Sequence, residues 1–554
     1  MSGSSSMAPG TSHGIHLVVI IHGLYGSPAN LRTIDEEVRR AAEEATDISS
    51  SCQNQSSEEP DPARSKQGLR TVTLLLKSFT GSHTWDGIDV NAHKAKDEIM
   101  HEISALEGDG RSVTHISFMG YSLGGLVARY LVGLLHASEP SFFDTRLPVS
   151  FSTAATPHLG VLRYATRMNT VVHTIGRRLF SRSGQQMYCL DRYDGEESLL
   201  QVMADPESIF MEALQLFPRI LIVANGCHDQ TVPYPTASIS LTDPFEGFTN
   251  TGIEVTVDHR NVATSWSFPP ELDNDEVKTV SAKSNNAVKQ YKGSDGVLRS
   301  RPRFPPFLIL PYPFTYVLIV MIPILIPLWM ITASSVLLYH SYQARQRLRL
   351  HEIETITKSA IKSSTSSLRR LAERDASQPD MIPTPRYRTR SKTKRSSELN
   401  DPDESTPLIS RHTTPSSSSA PMSRTETPPL HDPAAVPLPA TQLDAALPDE
   451  DRDEEDGPSS DAIPRPGQIP LLLTPAQKRM VRDLNKSLPQ MQRMVAWFPW
   501  AFNSHALIVA RDTKRFAWHE EGRGVVRAWA EFVVESARNK SALWIDQQLA
   551  VPRG

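Results

Sequence analysis

Three observations predict a mostly parallel α/β fold. Short apolar runs ("HLVVII", "RTVTLLL", "HISFMG", "PVSFSTAA", "RILIVAN") alternate with helical patterns between residues 15 and 240. Such alternation is what a parallel sheet covered by helices requires. The run "HISFMG" turns abruptly into the helical pattern "LGGLVARYLVGLL", with Ser122 between Gly120 and Gly124. The pattern fades after about residue 241 and resumes near Thr474 with "TPAQKRMVRDL", a short strand "RMVAWF" and an amphipathic helix "GRGVVRAWAEFVVESA". Thr474 is placed as the N-cap and Pro475 at the first helical position.

Composition narrows the function classes. The 554 residues carry 58 Lys+Arg against 62 Asp+Glu, a balance that points to no nucleic-acid partner. Cys52, Cys189 and Cys227 cannot all pair and lack metal-ligand spacing, so a reduced, cytosol-facing protein is expected. The opening "MSGSSSMAPGTSHG" has neither a basic n-region nor an apolar h-region, so no signal peptide is expected there. No cofactor or metal is implied.

The chain divides by composition into six parts: a disordered 1–14, a first core segment 15–270, a polar linker 271–303, an apolar segment 304–344, a disordered stretch 345–470 and a second core segment 471–554. Within the first core segment "DISSSCQNQSSEEPDPARSKQG" reads as a polar insert in a surface loop. The 345–470 stretch includes "TTPSSSSAPMSRTETPP" and "LPDEDRDEEDG" and is rich in Ser, Pro and charge. It cannot bury enough apolar surface to offset its chain entropy.

Ser122 carries the chemistry. In a Gly-x-Ser-x-Gly elbow the serine sits on a tight strand-to-helix turn. Both flanking positions must be small, because strand and helix approach closely there. The hydroxyl is then held out at the sheet edge beside a helix N-terminus. The next backbone N–H points at the oxyanion that would develop on a carbonyl under attack. "VVIIHGLYGS" ends a strand in His-Gly-x, where an α/β-hydrolase fold places its second oxyanion donor. The backbone N–H groups of Leu24 and Leu123 are the candidate pair, and His22 is assigned to shaping the loop. The hydroxyl needs a base, and the base an orienting carboxylate, in the chain order Ser, Asp or Glu, His. Asp229, in the loop after "RILIVAN", is the candidate acid. Asp205 in "MADPES" is the alternative and reads as a helix cap. Two histidines follow in suitable contexts, His505 in "NSHALIVAR" and His519 in "FAWHEEGRG", and spacing alone does not separate them.

These residues resemble the fungal and plant "putative serine esterase" family, whose yeast members include lipases and lipid-droplet phospholipases. The resemblance rests on "HGLYGS", "TWDGIDV", "FMGYSLGGLVARY", "TAATPHLGV", "SRSGQQMYCLDR", "LLQVMADPESIFMEALQLFPRILIVANGCHDQTVPYPTASI" and "NSHALIVAR…EGRGVV". It covers about 15 to 240 and 474 to 536. It implies an α/β-hydrolase fold and carries the nucleophile onto Ser122, the acid onto Asp229 and the base onto His505. His158 in "TPHLG" is a landmark that would brace the site. Two departures occur: Tyr121 stands where the family usually has His, and "NAHKAK" follows "DGIDV" where a Gly and an Arg are usual.

No Asp, Glu, Lys or Arg occurs between Phe304 and Ala344, which reads as a membrane segment. Ser122 and Asp229 precede it and His505 follows it, so a triad in one compartment needs both ends on one face. The segment is long for one crossing of about 20 residues and short for two. Pro323 and Pro327 fall near its middle. Arg299, Arg301 and Arg303 flank one end, and Arg345, Arg347 and Arg349 the other; positive charge marks the cytosolic side. A hairpin in one leaflet is therefore expected, suited to the endoplasmic reticulum or to a lipid-droplet monolayer; the alternative is a tilted, Pro-kinked single span with the triad completed otherwise.

The sequence thus predicts a membrane-associated serine hydrolase of lipid acyl esters, with a lipid substrate and a membrane or lipid-droplet surface as partners. Two other readings use the same residues: an esterase or thioesterase on non-lipid acyl groups, and an inactive membrane-anchored scaffold.

Overall fold

Each of the six apolar runs becomes a strand, and all six lie parallel in one sheet. In chain order they are β1 (Gly14–Ile21), β2 (Arg70–Leu75), β3 (Ser112–Tyr121), β4 (Leu147–Ala154), β5 (Arg219–Asn225) and β6 (Met491–Ala496). Their order across the sheet is β6-β5-β4-β3-β1-β2. Strands β1, β3, β4 and β5 are buried almost throughout, as expected of a parallel sheet covered on both faces. The computed structural model describes residues 14–53, 69–164, 181–195, 197–268, 290–292, 298–300, 314–375 and 471–549. The expected disordered N-terminus, most of the polar linker, the surface insert from residue 54 to 68 and residues 376–470 lie outside them.

Helices cover both faces. On one, α2 (Ile88–Gly108), α3 (Leu123–His136) and α5 (Pro475–Ser487) pack over a core that includes Phe118, Leu126, Phe151, Phe217 and Met480. On the other, α1 (Arg32–Gln53) and α6 (Arg523–Leu549) pack over Val18, Met119, Phe498, Trp529 and Phe532. The second core segment therefore supplies an edge strand and a helix to each face. The cap expected at Thr474 is present: its Oγ1 accepts the Gln477 N–H at 3.2 Å, while Gln477 Oε1 accepts the Thr474 N–H at 3.0 Å.

The apolar segment departs from expectation. Residues Phe314–Asp375 form one helix, α4, with Pro323 and Pro327 inside it. Its stretch Val320–Arg349 is long and apolar enough to cross a membrane. The expected hairpin turn is absent among the described residues. A proline removes one N–H donor and costs about 3 kcal/mol inside a helix. A turn at that place would end two helices, each with about four unpaired groups. Continuing through the prolines leaves fewer polar groups unpaired in apolar surroundings. The helix also runs to Asp375, into the stretch expected to be disordered from residue 345. No proline occurs between Pro327 and Pro379, and "QRLRLHEIETITKSAIKSS" is rich in strong helix formers.

The chain forms two units, residues 1–352 with 439–554, and residues 353–438. The second is described only as helical backbone as far as Asp375. The sheet and the site belong to the first.

Candidate active site

Ser122 sits where β3 hands over to α3, with φ 55° and ψ −127°. A side-chain-bearing residue at positive φ is strained and is held only by its surroundings. The glycines beside it explain what holds it. A Cβ on Gly120 would strike the Gly125 backbone, and one on Gly124 would strike the carbonyls of Ile21 and His22 at the end of β1. Strand, helix and the β1 loop therefore approach closely, and the Ser122 backbone N–H is fixed to the Ala154 carbonyl of β4 at 2.9 Å.

Asp229 lies in the loop after β5, and its carboxylate accepts four hydrogen bonds. Oδ1 accepts from the backbone N–H of Thr231 at 3.0 Å and of Val232 at 2.8 Å. Oδ2 accepts from Asn225 Nδ2 at 2.7 Å and meets His505 Nδ1 at 3.0 Å. The other ring nitrogen of His505, Nε2, lies 3.1 Å from Ser122 Oγ. One imidazole thus bridges the hydroxyl and the carboxylate. With Nδ1–H donated to Asp229, Nε2 is the free lone pair that can accept the hydroxyl proton.

The loop bearing His505 is stitched to the acid loop. Ser504 Oγ donates to the Cys227 carbonyl at 2.6 Å, and Ser504 N–H to the His228 carbonyl at 3.0 Å. Gln230 Nε2 donates to the Phe502 carbonyl at 3.0 Å. A further tie comes from the elbow itself. The Tyr121 hydroxyl donates to the His505 carbonyl at 2.9 Å, and its ring lies 5.2 Å from the imidazole. Burial pushes the Tyr121 hydroxyl well above the usual phenol range, so it remains a donor.

The candidate oxyanion donors flank the hydroxyl. Leu123 opens α3, so its N–H has no partner within the helix. Leu24 lies in a tight turn, closed by the Gly26 N–H on the Gly23 carbonyl at 3.0 Å. That turn runs against Ser122, since a Cβ on Gly23 would fall 2.7 Å from Ser122 Cβ. His22 shapes this loop: its ring packs 5.1 Å from Phe79 and its Nδ1 lies 3.1 Å from the Gly23 carbonyl. Burial lowers its pKa.

Neither His519 nor His158 is hydrogen-bonded to Ser122. His519 Nδ1 accepts the Asp512 N–H at 3.1 Å, and burial lowers its pKa to about 4. His158 Nε2 meets Thr153 Oγ1 at 2.9 Å, and its carbonyl accepts from Arg129 at 3.2 Å. Asp205 caps a local turn, accepting the Glu207 N–H at 3.0 Å.

Two of the sequence blocks lock together. Gln186 Oε1 accepts the Ile88 N–H at 2.6 Å, and Gln186 Nε2 donates to Asp89 at 2.9 Å. Ser183 Oγ donates to the Thr84 carbonyl at 2.7 Å. "TWDGIDV" and "SRSGQQMYCLDR" therefore form one polar joint beside the Leu24 turn. A cavity of about 310 Å³ is lined in part by the loop that carries Asp229, with Asn225, Cys227, Asp229, Tyr234, Asp243 and Phe245 in its wall and neither Ser122 nor His505 there.

Residues 11–240 match the sequence profile of the family described as Putative serine esterase (DUF676). Among its curated relatives, Putative lipase C4A8.10 of Schizosaccharomyces pombe is 24% identical over 42% of this chain and 27% of its own length. Putative lipase ROG1 of Saccharomyces cerevisiae is 25% identical over 41% of this chain and 29% of its own. The aligned region thus spans under a third of either relative. Among solved structures, the putative cell surface hydrolase from Lactobacillus plantarum aligns at 12% identity over 41% of this chain and 74% of that one, with a TM-score of 0.20.

Proposed function

We propose that this chain is a serine hydrolase that cleaves acyl esters of lipids at a membrane or lipid-droplet surface. The observation that carries the reading is the single His505 imidazole set between Ser122 Oγ and Asp229 Oδ2 at 3.1 and 3.0 Å. Ser122 Oγ attacks the acyl carbonyl as His505 Nε2 takes its proton. The N–H groups of Leu24 and Leu123 receive the oxyanion. Asp229, held by its other three donors, stabilises the imidazolium. His505 returns the proton to the departing alcohol, leaving an acyl ester on Ser122. Water, deprotonated by the same nitrogen, then releases the fatty acid.

A lipid substrate is supported by the yeast relatives, which are named putative lipases, and by the exposed apolar face of α4. Arg345, Arg347 and Arg349, at the close of the apolar stretch, favour a cytosolic side for that end, on the endoplasmic reticulum or a lipid droplet. The test is labelling with a serine-reactive fluorophosphonate together with turnover of nitrophenyl acetate. Ser122→Ala should abolish both while the protein stays folded, with a loss of about 10³-fold or more. His505→Ala should cost as much, because such residues act as a unit. Undiminished turnover in Ser122→Ala would end the reading.

A further inference from the structure

The base of α4 is fastened beside the Leu24 turn, and the rest of its apolar length stands free. Asp86, with its side chain only 2% exposed, is held between two cations. Lys94 Nζ lies 2.8 Å from its Oδ2. Arg347 of α4 donates from Nη2 and Nε to Oδ1 at 2.7 and 3.1 Å, and from Nη2 to the Ser82 carbonyl at 3.1 Å. This fork uses the planar geometry particular to guanidinium. One and two turns back along the same helix face, Ala344 is buried and the His340 ring meets Trp85 at 5.9 Å and Tyr25 at 6.0 Å, edge-on to both.

The turn that Arg347 grips also holds the rim of the site. Thr84 Oγ1 accepts the Tyr25 N–H at 2.8 Å, and the Gly81 N–H donates to the Gly26 carbonyl at 2.9 Å. Tyr25 follows Leu24 directly, and Gly23 runs against Ser122. Beyond the clamp the helix changes character. Val320, Ile324, Leu328, Trp329 and Ile331 are between 57% and 74% exposed. From Val320 to Ala333 a helix rises about 20 Å, which carries these side chains well past a lipid headgroup layer. An exposed apolar face of this size is rare on a water-facing protein.

We infer that the Arg347–Asp86 clamp seats the apolar helix on the rim of the active site, so that the lipid surface entered by α4 is the one from which the site takes its substrate. The inference rests on the lipid-ester reading above and adds to it a bearing: the Leu24–Tyr25 rim faces the lipid. A helix tethered only by flexible chain would bind lipid without presenting the site to it. The clamp removes that freedom. Arg347 touches no reacting atom, and Asp86 keeps Lys94 when Arg347 is lost, so its role is one of positioning.

The experiment compares two substrates on the full chain: nitrophenyl acetate in solution, and methylumbelliferyl oleate dispersed in phosphatidylcholine vesicles. Co-flotation with the same vesicles reports lipid binding. Arg347→Ala should float with the vesicles and turn over the soluble ester as the wild type does, yet lose about tenfold or more on the vesicle ester, as expected when a reacting group is held out of place. Arg347→Lys, which keeps the charge and loses the fork, should fall between. A double variant, Ile324→Asp with Leu328→Asp, should lose flotation and keep soluble-ester turnover. Wild-type turnover of the vesicle ester by bound Arg347→Ala would overturn the clamp and leave the lipid-ester reading standing. Loss of soluble-ester turnover or of flotation in Arg347→Ala would also overturn it, since Arg347 would then serve the fold or the lipid contact itself. Failure of the wild type to float, with self-association through α4 instead, would overturn the lipid surface for both.

Discussion

Tyr121 shows how a side chain outside the Ser-Asp-His set can reach across the chain. It stands beside Ser122, where the resembled family usually has His. In three dimensions its hydroxyl ties the elbow to the His505 carbonyl at 2.9 Å, across 384 residues of chain. Tyr121→Phe keeps the ring against the imidazole and removes only that bond, worth about 1 kcal/mol. The expected result is a fall in kcat of about fivefold with KM unchanged, because such a bond holds the base and not the substrate. Steady-state kinetics on nitrophenyl acetate check it; a change confined to KM would count against a role in holding the base. His519 is the converse case, plausible in sequence and structural in the fold. Burial lowers its pKa from 6.5 to about 4. Above pH 6.5 it is neutral whether folded or not. As pH falls from about 6.5 to about 4, the unfolded chain takes the proton first and stability is lost; below that both states are charged and the loss stops. His519→Gln should therefore make the acid limb of thermal stability shallower across that window while leaving turnover unchanged. Ser122 and Asp229 were candidates in the sequence because each follows a strong strand signal, whereas His505 was separated from His519 only by the family resemblance. Asn225 and Ser504 were not legible there, since they act through contacts with residues that only the folded chain brings near.

At the scale of elements, the elbow and the strands were legible and the fate of α4 was not. Continuous apolar runs of strand length have few other uses, and a serine between glycines at a strand end has fewer. The prolines of α4 were read as a turn because sequence displays the lost N–H and hides the larger number of groups a turn would expose. The elbow also sets a tolerance. A methyl on Gly124 would meet the carbonyls of Ile21 and His22, which are backbone and cannot rotate away. Gly124→Ala should cost about 1–3 kcal/mol of stability, as overpacking does. It should also displace the strand end that leads into Leu24. Urea unfolding and fluorophosphonate labelling read the two effects separately, and an unchanged midpoint with unchanged labelling would mean that strand and helix can part without consequence.

Across the whole molecule, the site is assembled from two stretches of chain that meet only in the folded state. Residues up to 268 bring Ser122 and Asp229, and residues from 471 bring His505. What joins them is the sheet and the loop contacts. Strand β6 pairs with β5 from Met491 opposite Ile220 to Ala496 opposite Asn225. Helix α6 packs on the α1 face through Trp529, Phe532 and Val533, all buried. Arg260 Nη1 meets Glu531 at 2.6 Å, and Ser504 stitches the histidine loop to the acid loop. The six strands of the sheet and the three residues Ser122, Asp229 and His505 all come from residues 14–268 and 471–549. Covalent continuity through residue 420 should therefore be dispensable once folding is complete. With a protease site placed near residue 420, the folded protein cut there should elute as one species and retain its nitrophenyl acetate turnover. The buried apolar surface between the halves, at about 25 cal/mol per Å², holds them without the tether. After unfolding in urea and dilution, recovery of the cut protein should become concentration-dependent, because closing the loop has become a bimolecular step. Loss of turnover on cutting, with both fragments still co-eluting, would show that the tether holds His505 in register, and that the sheet and its stitches do not suffice.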